Sequence, residues 1–227
     1  MEEGEHTMRR IIVILAITVA IVILAVGYVA DLAQWPTATV QAANTGAHTA
    51  QLDFNVVASA GAGPHPTWVQ YQTRDFNAHR SATSFRVPAD TWVTVDVHQY
   101  DSSTTLRNPF FGLVQGVRDD VAYLNGKAFQ AVTPDLPSHT FTIPELDVNV
   151  PLPGVASGAP ATAFNTIRFT FYSGHAKRVY SWQCFDPCGW GLDGNGGPMQ
   201  TYGFMDGQIT VYSGACHSAE RGIQAGE

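Results

Sequence analysis

The sequence predicts an all-β protein, a sandwich or barrel with Greek-key connections, behind a single N-terminal transmembrane helix. An uncharged apolar run lies near the N-terminus, and segments beyond residue 50 alternate apolar with polar residues. Clusters of Gly, Pro, Asn and Ser separate these segments, and no amphipathic helix of useful length is evident among them. Short half-buried strands with turn-rich connections are typical of antiparallel sandwiches and barrels.

Residues 11–30, IIVILAITVAIVILAVGYVA, form the apolar run. As a helix it would span about 30 Å, the thickness of the hydrocarbon layer of a membrane. A cleaved secretory signal has a shorter apolar region, about 7 to 15 residues, with a small-x-small exit. Arg9 and Arg10 precede the run and Asp31 follows it, so the positive-inside rule places residues 1–10 in the cytoplasm. We expect a single-pass protein of the cell membrane with an extracytoplasmic main domain.

The remaining chain reads as a linker followed by strands. Residues 31–50 are rich in Ala and Thr with little periodicity, which predicts a linker. Apolar and polar residues alternate over 52–56, 93–97 and 167–171, the pattern of half-buried strands. The predicted organisation is a cytoplasmic segment 1–10, a helix 11–30, a linker 31–50, a β domain 51–213 with an insert 101–137 packed on one end, and a tail 214–227.

The composition narrows the function classes. The chain has 19 acidic and 12 basic side chains and a formal net charge of -7, which argues against nucleic acid as a partner. The sequence contains no G-x-S-x-G elbow, no H-E-x-x-H and no Gly-rich phosphate loop between a strand and a helix. We therefore do not expect an enzyme that acts alone.

The cysteines allow two interpretations. In an oxidising external compartment disulfides persist, and Cys184 and Cys188 are the obvious candidate pair, which leaves Cys216 unmatched. The same C-x3-C spacing also suits a metal, because thiolates are soft ligands.

Three stretches of the sequence follow one another in an order that carries a family resemblance. They are SHTFTIPELDVNVPLPG at 138–154, VYSWQCFDPCG at 179–189 and YGFMDGQITV at 202–211. The order resembles the cupredoxin domain of cytochrome c oxidase subunit II. There, an H-x-F-x-x-P-x-L-x-V run with a downstream Pro-Gly precedes a Gln-Cys-x3-Cys-Gly loop, then His and Met. The resemblance covers about residues 85–212 and includes FRVPADTWVTVDVH as an earlier strand.

The resemblance implies a copper site. Soft thiolates hold copper, an imidazole adds a borderline ligand, and a thioether tunes the potential through a weak axial bond. Carried over by position, the implied ligands are the His139 imidazole, the Cys184 and Cys188 thiolates, the backbone carbonyl of Asp186 and the Met205 thioether, with Met199 as the alternative thioether.

The sequence departs from the family at the second imidazole. The family has a histidine three residues before the Met, where this sequence has Tyr202. A Gly-rich expansion that contains Met199 precedes that position, and no histidine follows Cys184 until His217. His175, in the turn SGHAKRVY, would replace the imidazole only if that turn folded over the site.

Three possibilities therefore stay open. The first is a modified, mononuclear copper site. The second is a Cys184–Cys188 disulfide with no metal, and the third is a site that another subunit completes.

The anchor and the resemblance together imply a function. We expect an electron-transfer or copper-handling component of a membrane oxidoreductase complex, such as an oxidase or a copper-dependent monooxygenase. Its expected partners are the membrane, other membrane subunits and a cytochrome c-like redox protein. The alternative is an accessory subunit that keeps a cupredoxin shell and binds no metal.

Overall fold

The computed structural model describes residues 2–33, 37–189, 191 and 193–213. The chain begins with helix α1, Glu2–Ala33, which extends beyond the predicted span at both ends. Within it, Met8–Ala30 is long and apolar enough to cross a membrane, and the rest of the described protein buries none of this stretch. A signal sequence near an N-terminus has the same properties.

After the helix, the described residues form thirteen strands in two sheets. The first sheet has the order β1 (Thr39–Gln41), β5 (Ser84–Pro88), β13 (Asp206–Tyr212), β12 (Arg178–Gln183), β9 (Pro137–Ile143) and β10 (Val148–Pro153). The second has the order β2 (Ala43–Gly46), β3 (Thr49–Val57), β6 (Trp92–Gln99), β11 (Asn165–Tyr172), β7 (Ala122–Leu124) and β8 (Lys127–Phe129), and β4 (Gln70–Gln72) also pairs with β3. Described helical structure after α1 is limited to 3-10 segments of three or four residues.

The strands predicted from alternation are confirmed. The segments 52–56, 93–97 and 167–171 lie in β3, β6 and β11, and their apolar side chains are buried. The expectation of antiparallel pairing is wrong for three pairs, because β1 with β5, β5 with β13, and β3 with β6 run parallel. Between β3 and β6 the chain visits the other sheet as β5, the kind of crossover that parallel neighbours require. The Greek-key order of a cupredoxin stays a prediction.

The segment predicted as a linker is largely folded. Residues 39–50 form β1 and β2 and begin β3. Every side chain of β2 is exposed, so this strand carries no apolar alternation that sequence patterns could detect. Backbone pairing with β5 and β3 holds these two edge strands in place.

The insert extends the second sheet. Its β7–β8 hairpin turns at Asn125 and Gly126, both with positive φ, and β7 pairs with β11. An Asn-Gly pair suits a two-residue hairpin turn because both positions need a left-handed backbone.

Both sheets pack around one hydrophobic core, and Phe141 of β9 lies at its centre. The Phe141 ring lies 5.5 Å from Trp182 in its own sheet. It also lies 5.7 Å from Phe54 and 5.6 Å from Phe169, which belong to the other sheet. Ring contacts with both sheets therefore hold β9 in place at Phe141, two residues after His139.

We expect Phe141→Ala to lower the free energy of unfolding by about 3–5 kcal/mol, because the substitution leaves a cavity between the sheets. Phe110→Ala is the control, since the Phe110 side chain is 53% exposed. Its expected cost is within about 0.5 kcal/mol. Urea unfolding of the full chain in detergent measures both variants, and equal costs would contradict the central position of Phe141.

Candidate metal centre

Two neighbouring strands bring the predicted imidazole and thiols together. His139 lies in β9, and Cys184 directly follows the end of β12. Gln183 of β12 pairs with Thr142 of β9. The His139 and Cys184 side chains therefore lie at the same end of the first sheet. The loop after β12 then returns Cys188, and the three possible ligand atoms lie within 4.8 Å of one another. We call this the sulfur end of the β domain.

The two cysteines are free thiols. Their Sγ atoms are 3.8 Å apart, and the Cys184 Sγ lies 3.8 Å from Nδ1 of His139. Cys184 and His139 are fully buried, whereas Cys188 is half-buried. The arrangement is a compact group with one partly accessible sulfur.

Backbone groups fix the position of Cys184. The Thr140 N–H donates to its sulfur at 3.4 Å, and the Cys184 N–H donates to the Met205 carbonyl at 2.9 Å. The Cys184 thiol lies 3.4 Å from the backbone carbonyl of Asp186, the group that the resemblance implies as a weak ligand. The sulfur is thus held in place by neighbouring strands.

Asp101 is a site residue that the sequence analysis missed. Its Oδ2 lies 3.0 Å from Nε2 of His139, on the side of the ring away from Cys184. A carboxylate on the second nitrogen of a ligating histidine fixes ring orientation and raises basicity. No pattern in the sequence relates the two residues, because Asp101 follows β6 of the second sheet and His139 belongs to the first.

The pKa values of His139 and Cys184 are strongly shifted. Burial lowers the pKa of His139, but hydrogen bonds to Asp101 and Cys184 and their negative charges outweigh it and raise that pKa to about 9. Burial raises the pKa of Cys184, yet hydrogen bonds with Cys188 and His139 hold it well below its usual value. The thiolate is the form of cysteine that binds metals, and here it is stabilised without one.

The loop that follows β12, residues 184–205, which we call the sulfur loop, places the Met199 thioether beside the thiols. The Met199 Sδ lies 3.1 Å from the Cys188 Sγ, at the end of the 3-10 segment Gly197–Met199. Met205 is fully buried, and its N–H donates to the Pro198 carbonyl at 3.2 Å. Met199, the alternative in the sequence analysis, therefore has its sulfur in contact with a thiol of the group.

Asp186 contributes an unsatisfied carboxylate oxygen. The residue is fully buried, and its Oδ2 accepts a hydrogen bond from Thr104 at 2.9 Å. Its Oδ1 is buried and has no hydrogen-bond partner among the described residues. Burial and the negative charge of Cys184 raise the pKa of Asp186 to about 6. A buried acceptor without a donor beside a thiolate fits a site that takes up a cation.

The insert covers the sulfur loop. In addition to Thr104, it supplies Phe111, whose ring stacks on Phe185 at 4.8 Å. Phe185 directly follows Cys184 in the sequence, so this contact packs the insert against the segment that carries the thiols. Insert and sulfur loop thus form one wall of the site.

The described residues supply one imidazole to the group. Tyr202, at the position of the family's second histidine, has a side chain that is 49% exposed. His175 lies at the other end of β12, 83% exposed and 2.8 Å from Asp90, so its turn does not fold over the site. Cys216 and His217 lie outside the described residues.

No protein-family model matches this chain, and no curated protein matches it either. The resemblance to cytochrome c oxidase subunit II therefore stays a prediction. It is based on the sequence motifs alone.

We expect Asp101→Asn to lower the stability of the metal-free chain by about 1–3 kcal/mol at neutral pH, since a buried imidazole loses its charged partner. The pKa of His139 is raised on folding, so its protonation stabilises the fold fully below its unfolded value of about 6.5. That contribution is lost as the pH rises through about 9, whereas the lowered pKa of Cys184 adds stability over the same rise, so the two pH dependences oppose each other.

Urea unfolding of both proteins at about pH 7 measures the cost of Asp101→Asn. Asp193→Asn is the matched control, because the Asp193 side chain is 83% exposed. An unchanged free energy of unfolding in Asp101→Asn would contradict the assigned role of the carboxylate.

Proposed function

We propose that this chain is a membrane-anchored copper protein that acts as an electron-transfer or copper-handling component of a membrane oxidoreductase complex. The observation that carries the proposal is the buried group of His139, Cys184 and Cys188, with the Met199 sulfur in contact. Two thiolates, one imidazole and one thioether form a soft ligand set, which favours copper. Zinc sites also use Cys and His, so the Met199 thioether is the ligand that favours copper over zinc here.

The surroundings of the site suit electron transfer. His139 and Cys184 are fully buried at the ends of paired strands, and each is fixed by hydrogen bonds to neighbouring residues. A bound copper ion would supply single-electron chemistry, and a rigid ligand shell keeps the geometry nearly constant between its oxidation states. A single described imidazole favours one copper over the dinuclear centre of the family.

The helix supports the proposed location. Met8–Ala30 can cross a membrane, and Arg9 and Arg10 favour a cytoplasmic N-terminus. The β domain would then lie outside, where other membrane subunits and a cytochrome c-like carrier are the partners that the resemblance implies.

We expect the purified full chain, reduced and loaded in detergent, to bind about one copper. Elemental analysis with absorption spectra measures this, and Cys184→Ser should abolish both the metal and the thiolate-to-copper bands. Ser213→Ala leaves the thiols intact and serves as the control. Less than about half a copper per chain, unchanged in Cys184→Ser, would refute the proposal.

A thiol count on the native, metal-free chain separates the proposal from its alternative. Three free thiols agree with a metal site. One free thiol, from Cys216, would indicate a Cys184–Cys188 disulfide and the metal-free accessory subunit.

We expect Met199→Leu to raise the reduction potential of the copper-loaded chain, because loss of a thioether donor disfavours the more highly charged oxidised ion. Met205→Leu is a matched control, since both methionines are buried and the substitution conserves volume. Voltammetry of both variants measures the shift. A shift in Met205→Leu alone would assign the thioether to Met205.

A further inference from the structure

The connection between the helix and the β domain is short. Helix α1 ends at Ala33, and Thr37 is already fixed in the β domain, four peptide units later. Four units span at most about 15 Å, because consecutive Cα atoms lie about 3.8 Å apart. The point where the β domain is attached therefore stays close to the end of the helix.

Thr37 is fixed by hydrogen bonds to two residues just before β5. Its Oγ1 lies 2.9 Å from the Ser81 Oγ and 2.8 Å from the Thr83 Oγ1. The Ala38 N–H also donates to the Ser81 carbonyl at 2.7 Å. These contacts join the start of the folded domain to the start of β5.

The start of β5 belongs to the sulfur end. The Thr83 carbonyl accepts a hydrogen bond from the Trp182 indole at 3.0 Å, two residues before Cys184. The Ser81 hydroxyl donates to the carbonyl of Gly203 at 2.6 Å, two residues before Met205. From Thr39, β1 runs parallel to β5 and away from this end. The helix is thus attached beside the sulfur site.

Three exposed apolar side chains lie at the same end, whereas others, such as Val179, lie elsewhere. Tyr202 is 49% exposed in the sulfur loop, and Phe110 is 53% exposed beside the Phe111–Phe185 stack. Leu136 precedes the start of β9. Amphipathic aromatic side chains suit a membrane interface, where one part is apolar and the other wet.

We propose that the sulfur end of the β domain faces the membrane surface, with the short tether at Thr37 holding it there. The inference rests on the membrane anchoring of the proposed function, but not on copper. A site in this orientation exchanges electrons or copper with a partner embedded in the membrane. The opposite end, with Asp90 and His175, points away from the membrane.

Energy transfer to the lipid surface tests the orientation. The full chain is reconstituted in lipid nanodiscs that contain acceptor-labelled lipids. In separate proteins, Tyr202 or His175 is replaced by an azide-bearing amino acid that carries the donor dye, so all native cysteines stay in place. Both positions are exposed, and circular dichroism confirms that each labelled protein is folded.

The expected result is a donor at position 202 about 20 Å closer to the lipid surface than a donor at position 175, the length of a six-residue strand such as β12. A flexible Gly-Ser segment of about 20 residues, inserted after Ala33, should remove the difference, because such a linker reaches about 25 Å in any direction.

Equal distances, or a shorter distance at position 175, overturn the orientation and leave the proposed function intact. If no energy transfer is detected from either position, both the membrane anchor and the orientation are overturned. A difference that survives the longer linker overturns the role of the tether.

Discussion

The sulfur end depends on the contacts that the buried His139 ring makes through both of its nitrogens. Asp101 binds Nε2 at 3.0 Å, and the Cys184 sulfur lies 3.8 Å from Nδ1. A fully buried imidazole needs partners for both nitrogens, since an unpaired polar group in the interior is costly. Because these partners come from different sheets, the ring also ties the two layers together. The raised pKa of His139 and the lowered pKa of Cys184 favour an imidazolium beside a thiolate.

The aromatic core beside this charged group holds its side chains in position. Phe141, two residues after His139, contacts aromatic rings of both sheets. Trp182, two residues before Cys184, stacks on Phe141 and donates to Thr83, near which the helix is attached. The aromatic core, the site and the tether are therefore consecutive parts of one packed structure.

Several features were predictable from the sequence, and others were not, for physical reasons. Alternation revealed β6 and β11 because each has one buried face, and the family resemblance implied the grouping of His139 with Cys184 and Cys188. The edge strand β2 buries no side chain, so no pattern marks it. Asp101 reaches the site only through the stacking of two sheets. The choice of Met199 depends on the path of a Gly-rich loop, which has no periodicity.

The central claim is that a single soft site of two thiolates and one imidazole binds copper at the end of the β domain. X-ray absorption at the copper edge of the reduced, copper-loaded full chain tests it most directly. The account predicts two or more sulfur neighbours and at least one imidazole nitrogen around each copper. A shell of nitrogen and oxygen alone would contradict it.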